Sequence, residues 1–431
     1  MTGSVTSGNP GGHPSVVVHS MNIPHHRVAS LFGAVTLAAG VLGGSASALA
    51  GSDWPHWLGP DGNNQVGAST FNPDLSKWKV AWKASVGRGY SAVAVAGGHA
   101  ITLGHDGDAH ETVYSFDIKT GREEWKQSYE AQLLPKMHPG GPNATPTILG
   151  DRVIVLSKDG QVRCLALADG HALWDLNLTT VPGLKLPQWG FASSPVVDGN
   201  RLIFAAGRVV SVDLEKGAVQ WSSSGEYHPG YTTAVVFQRE GHKFIAVLDG
   251  KGFSILEGND GKEVARRPFK AMFDMNGTTP FVLDSGKQIF VSGNTTSELL
   301  AFDGKDLTAV WTTTEIKSPM NAAVIRDGAI YGIDGRQGTP SSRLVSVRLS
   351  DGKVNWSQAD FGFGNTIGVG KSLLALNEDG LLVTAAMAPD GYHETGRQQV
   401  LGKTCWTPPV FAQDRIFVRN DRGDVVCLVG S

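Results

Sequence analysis

The chain has 431 residues, 41% hydrophobic and 8% aromatic, with 55 glycines and a formal net charge of -3. So even a charge balance leaves no electrostatic footprint for nucleic acid or an anionic membrane surface, and neither is expected as a partner. Three cysteines, Cys164, Cys405 and Cys427, are too few and odd in number for a disulfide framework, and they read as small buried apolar residues.

Residues 1–19 are rich in Gly, Ser and Pro and show no core-forming pattern; Met21 offers an alternative start. His25, His26 and Arg27 then precede an apolar run over 31–42, and small residues lead to Ala48, Leu49 and Ala50. That is the order of a signal peptide: basic region, apolar region, small-residue cleavage site. A single membrane anchor is the rival reading, but the run is short and rich in Gly and Ala. The expectation is cleavage after Ala50, with export to the periplasm or cell envelope and no stable membrane span afterwards. Residues 51–79 are expected to form an N-terminal extension packed on the main domain.

From residue 80 onward, short alternating runs are punctuated by Asp-Gly, Asn-Gly and Thr-Gly turns, the pattern of an all-β chain of hairpins. Trp82, Trp125, Trp174, Trp221, Trp311 and Trp356 are separated by 43, 49, 47, 90 and 45 residues, the 90 being a doubled interval. A period of this length with several strands per unit is the mark of a β-propeller blade. Within the second unit, 145–149, 152–156 and 161–167 read as successive strands, with a fourth carrying Trp174. Two units lack the tryptophan and lead instead to Arg266-Arg267 and to Arg397.

Innermost strands are expected to begin near Tyr90, Ala144, Ser193, Tyr231, Thr278, Asn321, Asn365 and Thr407, which makes eight. The last unit ends without an outer strand, whereas 80–86 is an outer strand with no unit of its own. The fold expected is therefore an eight-bladed β-propeller of four-stranded antiparallel blades over 80–431, its ring closed by the N-terminal strand. The six tryptophans are expected to dock blade on blade, each indole burying a large flat area. A monomer suffices, because closure removes the exposed sheet edge.

The fullest unit runs Ser115-Phe116-Asp117 through Thr120-Gly121 to Trp125. It resembles the pyrroloquinoline quinone (PQQ) repeat, or tryptophan-docking motif. The opening from Asp53-Trp54 through Trp57, Gly59 and Pro60 to Gly62 looks like the start of exported bacterial propellers of the BamB-like branch. The resemblance covers nearly all of the chain from Trp54 and implies the fold. It leaves function open, since the family includes quinoprotein dehydrogenases as well as assembly-factor scaffolds. For a dehydrogenase it implies a vicinal Cys-Cys pair over the quinone and a calcium held by Glu, Asn and Asp. Here no two cysteines are adjacent and no Cys-x-x-Cys-His is present.

No catalytic residues, no metal site and no cofactor are therefore expected, PQQ with calcium remaining the alternative. The cluster from His105 through Asp108 and His110 to Glu111 gathers ligand-type side chains, but it falls where a hairpin is needed. The loops that lead into the inner strands converge on the central opening. They carry Lys136, His138, Asn143, Trp189, Tyr227, His228, Tyr231, Asp274, Asn276, Asn321, Asn365 and Trp406. Aromatic and polar groups around a concave mouth form a candidate ligand funnel. The function expected is an exported, non-catalytic binding scaffold with a protein partner, or a small-molecule or glycan ligand, at this face. The alternatives are a periplasmic quinoprotein oxidoreductase and a carbohydrate-binding propeller.

Overall fold

Alternating hydrophobics between tight glycine turns build sheet after sheet along this chain. A computed structural model of the protein describes residues 52–68, 70–225, 227, 230–339 and 341–431. The expected leader, 1–50, lies outside them. Among the described residues there are eight antiparallel sheets, each used once around the ring. Blade 1 spans 94–130, blade 2 147–177, blade 3 196–222 and blade 4 235–268. Blades 5, 6 and 7 span 281–313, 324–358 and 364–399, and blade 8 spans 410–430.

Blade 8 is completed from the other end of the chain. Trp78–Ser85 pairs antiparallel with Asp424–Gly430, Trp82 standing opposite Cys427. The ring therefore closes as expected, through backbone hydrogen bonds between the head and tail of the propeller. Arg419 reinforces the same seam. Its fully buried guanidinium donates to the carbonyls of Leu103 (2.7 Å) in blade 1 and of Ser91 (2.7 Å) and Gly89 (3.0 Å) in the segment leading into it. Burial pushes its pKa down to about 10, so it stays charged at neutral pH, with carbonyl dipoles in place of a counter-ion.

The blade-to-blade contact repeats one local device. Asp117 Oδ1 accepts from the Thr120 amide (2.8 Å) and hydroxyl (2.6 Å), closing a turn that ends at Gly121 with φ of 70°. The Trp82 indole, from blade 8, lies on that glycine, where a Cβ would overlap the ring. Its Nε1–H donates to the Ile118 carbonyl at 3.0 Å. Trp125 repeats this on Gly170 and the Leu167 carbonyl (2.8 Å), and Trp174 on Gly217 and the Leu214 carbonyl (2.9 Å). Trp311 does so on Gly352 and the Leu349 carbonyl (2.8 Å). A bulge sits at the same place in each outer strand, as between the Ser115–Trp125 and Phe116–Glu123 pairs, and it aims the indole across to the next blade.

Two junctions depart from the sequence reading. Register puts Ala265, not Arg266 or Arg267, in the tryptophan position of blade 4, opposite Ile255. Phe237, Phe244 and Phe302 fill that junction, with Phe244 and Phe302 packed edge to face at 5.2 Å. In blade 7 the position is held by Gly396, opposite Thr384, rather than Arg397. There a Cβ would strike the backbone of Pro73 and Leu75, so the N-terminal segment takes the space of the missing indole.

That segment also crosses the central channel. Trp54 pairs with Val95 of blade 1, the Pro55 carbonyl accepts from Ile148 of blade 2, and Leu58 packs with Phe281 and Ala323 of blades 5 and 6. Asn64 donates to the carbonyls of Ala323 (3.1 Å) and Thr366 (2.7 Å), and Gln65–Val66 runs parallel to the inner strand of blade 7. Inner-strand edges that would otherwise face an open channel are thus partly capped from within the chain. The cysteines are free and buried.

Trp125→Ala should lower unfolding free energy by about 3 kcal/mol or more in urea titrations, through the lost area and the cavity left behind. Tryptophan-to-phenylalanine substitution separates the hydrogen bond from the area. Trp221 Nε1 is buried without a partner because Arg201 occupies the Gly258 carbonyl. Trp125→Phe should therefore cost about 1 kcal/mol more than Trp221→Phe.

Candidate functional site

Each inner strand is preceded by a loop on one face of the ring, and the hairpins between second and third strands rise on the same face. Together they surround a cavity of about 470 Å³ at the ring centre, a volume typical of ligand pockets. One side is aromatic. Trp406 of the loop into blade 8 stacks on Tyr90 (5.6 Å, 18°), and Tyr90 meets His138 edge-on at 5.3 Å. Trp189 meets Tyr231 edge-on at 5.5 Å. The other side carries Met272, Phe273 and Met275 before blade 5, Met320 before blade 6, and the hairpin residues Arg336 to Thr339. Trp57 reaches the cavity from the N-terminal segment, its indole donating to Thr279 Oγ1 at 2.9 Å.

Of the residues expected in the funnel, His138, Asn143, Trp189, Tyr231 and Trp406 line this cavity. Several asparagines have a different task. Asn143 donates to the Trp189 carbonyl (3.3 Å), and Asn365 to the Trp406 carbonyl (2.7 Å). Each ties its own loop to the tryptophan loop of the next blade. Asn276 and Asn321 are buried on the carbonyls of Asp249 (2.7 Å) and Ile333 (3.0 Å). Tyr227 is buried between blades 3 and 4 beside Ile203 and Ile245, away from the cavity. Lys136 is exposed and outside the lining, and Asp274 is exposed, 3.7 Å from Lys251. His228 lies outside the described residues.

Sequence reading missed Glu378, which sits in a hairpin rather than in a loop leading to an inner strand. Its carboxylate accepts from the Trp406 indole (3.3 Å) and from the Gly338 amide (3.2 Å), fixing one aromatic wall and the Arg336 hairpin together. Arg336 and Trp57 were missed for the same reason: neither precedes an inner strand.

Among the described residues the lining contains no aspartate or glutamate. Burial, with Lys158 nearby, pushes the His138 pKa down to about 4. Its Nδ1 accepts from the Gly140 amide at 3.1 Å, which leaves the proton on Nε2. Arg336 has no carboxylate partner among the described residues; its Nη1 lies 4.0 Å from Met272 Sδ. Lys158 is fully buried behind Gly190, and burial pushes its pKa down to about 8. Glu111 is buried beside it, pushed up to about 8, accepting from the Lys158 amide and the Tyr129 hydroxyl (3.2 Å each).

Among the described residues no group of three His, Cys, Asp or Glu side chains could hold a metal ion. A lining without carboxylates does not fit a calcium-bound quinone, whose metal needs hard oxygen donors. The hairpin around Asp106 is a self-capped turn: its carboxylate accepts from the amides of Asp108 (2.8 Å) and Ala109 (3.0 Å).

Eight blades, six of them docked by a tryptophan, around an aromatic cavity define a β-propeller of the PQQ-repeat class. A sequence profile described as outer membrane protein assembly factor BamB matches residues 74–240 and 230–360, about two thirds of the chain, and the chain belongs to that family. BamB of Shigella dysenteriae is 25% identical over 190 residues, and BamB of Escherichia coli K12 likewise. The chain spans 42% of the length of these curated relatives. Among solved structures, BamB from Moraxella catarrhalis superposes with a TM-score of 0.61 at 13% identity, covering 82% of this chain and 99% of that one. Quinohemoprotein alcohol dehydrogenase from Comamonas testosteroni gives 0.66 at 13% identity, covering 88% and 80%. At such identities these likenesses show the fold alone.

A histidine held neutral gives a signed pH dependence. In the unfolded chain His138 protonates near its ordinary value of 6.5, whereas in the folded chain it does so near 4. Between those values the unfolded state binds the extra proton, so the His138 contribution to stability is present above pH 6.5 and is lost as pH falls toward 4. His138→Gln should flatten that part of the stability profile, measured by urea unfolding at stepped pH. An NMR titration should show the imidazole uncharged at pH 5.5.

Proposed function

We propose that the protein is an exported, non-catalytic propeller acting as a binding scaffold at the cell envelope. The observation that carries this reading is the lining of the cavity, which among the described residues offers aromatic rings, thioethers and one guanidinium without a carboxylate. Such a surface binds and orients, but it has no acid and base paired to move protons. Family membership supports a protein partner, and the curated BamB relatives, named for outer membrane assembly, support the envelope location over the part they share. The basic, apolar and small-residue order before Gly51 supports export. No helix of the described residues is long and apolar enough to cross a membrane.

A quinoprotein oxidoreductase is the second reading, favoured by the likeness to the Comamonas enzyme. The donor set around the cavity weighs against it, and we propose that no quinone is bound.

Intact mass of the protein recovered from the periplasmic fraction should match a chain starting at Gly51; retention of residues 31–42 would count against export in this form. A photo-crosslinking residue in place of Phe273, on the cavity face, should trap a discrete envelope protein. The same residue in place of Lys216, on a turn of the opposite face, should not. Equal yields at both positions, or dye reduction after adding PQQ and calcium, would sink the scaffold reading.

A further inference from the structure

The rim of the cavity is more apolar than an idle surface needs to be. Met137 is 88% exposed, Phe273 74% and Met272 42%, and all three line the same opening. Phe273 is held there by a backbone at φ 60°, ψ 24°, in a left-handed turn that a bulky residue adopts at a cost. The turn is fixed from outside: Asn294 Oδ1 accepts from the Met272 amide (2.7 Å), and Asn294 Nδ2 donates to the Met272 carbonyl (3.2 Å). A strained turn, clamped at both polar groups of one residue, thus presents a phenylalanine ring to solvent.

Among the described lining residues Arg336 is the one Lys, Arg, Asp or Glu, and it has no carboxylate partner. The acids nearby are already engaged: Glu378 on Trp406 and Gly338, and Asp274 beside Lys251. A guanidinium beside apolar side chains is the complement of an anion attached to something apolar.

We propose that the opening is a docking site for a short segment of a partner protein, which places an apolar or aromatic side chain in the cavity and an acidic side chain on Arg336. This rests on the scaffold reading and gives its binding face a partner chemistry. Two features favour a peptide over a fixed small molecule. Met137, Met272, Met275 and Met320 surround the opening, and unbranched thioethers repack around side chains of different shape. The rigid aromatic wall of Trp406, Tyr90 and His138 faces them, supplying an anchor surface that loses little entropy on binding.

The test uses the purified full chain and three capped peptides by isothermal titration. The first is acetyl-Gly-Ser-Leu-Phe-Glu-Ser-Gly-amide; the second has Lys for Glu; the third has Ser-Ser for Leu-Phe. Saturable binding is expected for the first, about tenfold weaker binding for the second, and none for the third. Arg336→Gln should reduce affinity for the first peptide about three- to tenfold and remove its salt dependence, and Phe273→Ser should weaken it further. Both side chains are on the surface, and unchanged urea unfolding curves would confirm that the variants fold. Equal binding of the three peptides, no binding of any, or indifference to both substitutions would overturn the proposal. Crosslinking from the Phe273 position separates the two readings. If it still traps an envelope protein while the peptides fail, the acidic-anchor chemistry falls and the scaffold stands; if both fail, both fall.

Discussion

Everything in this molecule depends on an indole lying flat on the glycine of the neighbouring blade. The contact has three parts that must agree: a bulge that aims the ring, a turn closed by a backbone hydrogen bond, and a glycine whose missing side chain leaves room. The carbonyl three residues before that glycine then accepts the indole proton. Because neighbours touch this way around the ring, stability is distributed among junctions, and no single core has to supply it. Where the indole is missing, the space is refilled from elsewhere. Phenylalanines do this between blades 4 and 5, and the N-terminal segment does it on blade 7.

The fold was legible because that contact leaves a fixed spacing in the sequence. Turn glycines and tryptophans are constrained by geometry that does not depend on what the protein binds, so they survive as a rhythm. The two misplaced positions show the limit of such reading. Counting from the turn led to Arg266 and Arg397, whereas the bulge shifts the register and puts Ala265 and Gly396 there. The cavity was legible only in part. Loops have no period from which to read whether a side chain turns inward or outward, and so Asn276, Asn321 and Tyr227 were expected at the mouth although they point into the body of the ring. Glu378 and Arg336 belong to hairpins that read as ordinary turns. Trp57 belongs to a segment whose path through the channel no local pattern announces.

Asn143 and Asn365 join the two levels. Both were expected as ligand-facing groups; Asn143 lines the cavity and Asn365 does not, and each fixes the carbonyl of a cavity tryptophan across a blade boundary. The site is therefore built from the same junctions as the fold. A blade's loop is held by the preceding blade, just as its turn is held by the preceding tryptophan. Solved propellers at 12–13% identity carry different names and different chemistry.

Those side chains divide by stiffness. Trp406 is held by its stacking on Tyr90, by Glu378 on its indole nitrogen and by Asn365 on its carbonyl, so little freedom is left to lose when something packs on it. The methionine side chains have three rotatable bonds each, although the Met272 backbone is clamped by Asn294, so their thioethers can adapt to what arrives. On the proposed scaffold reading, that division suits recognition of a class of shapes, with Arg336, which has no carboxylate partner among the described residues, adding a preference of charge.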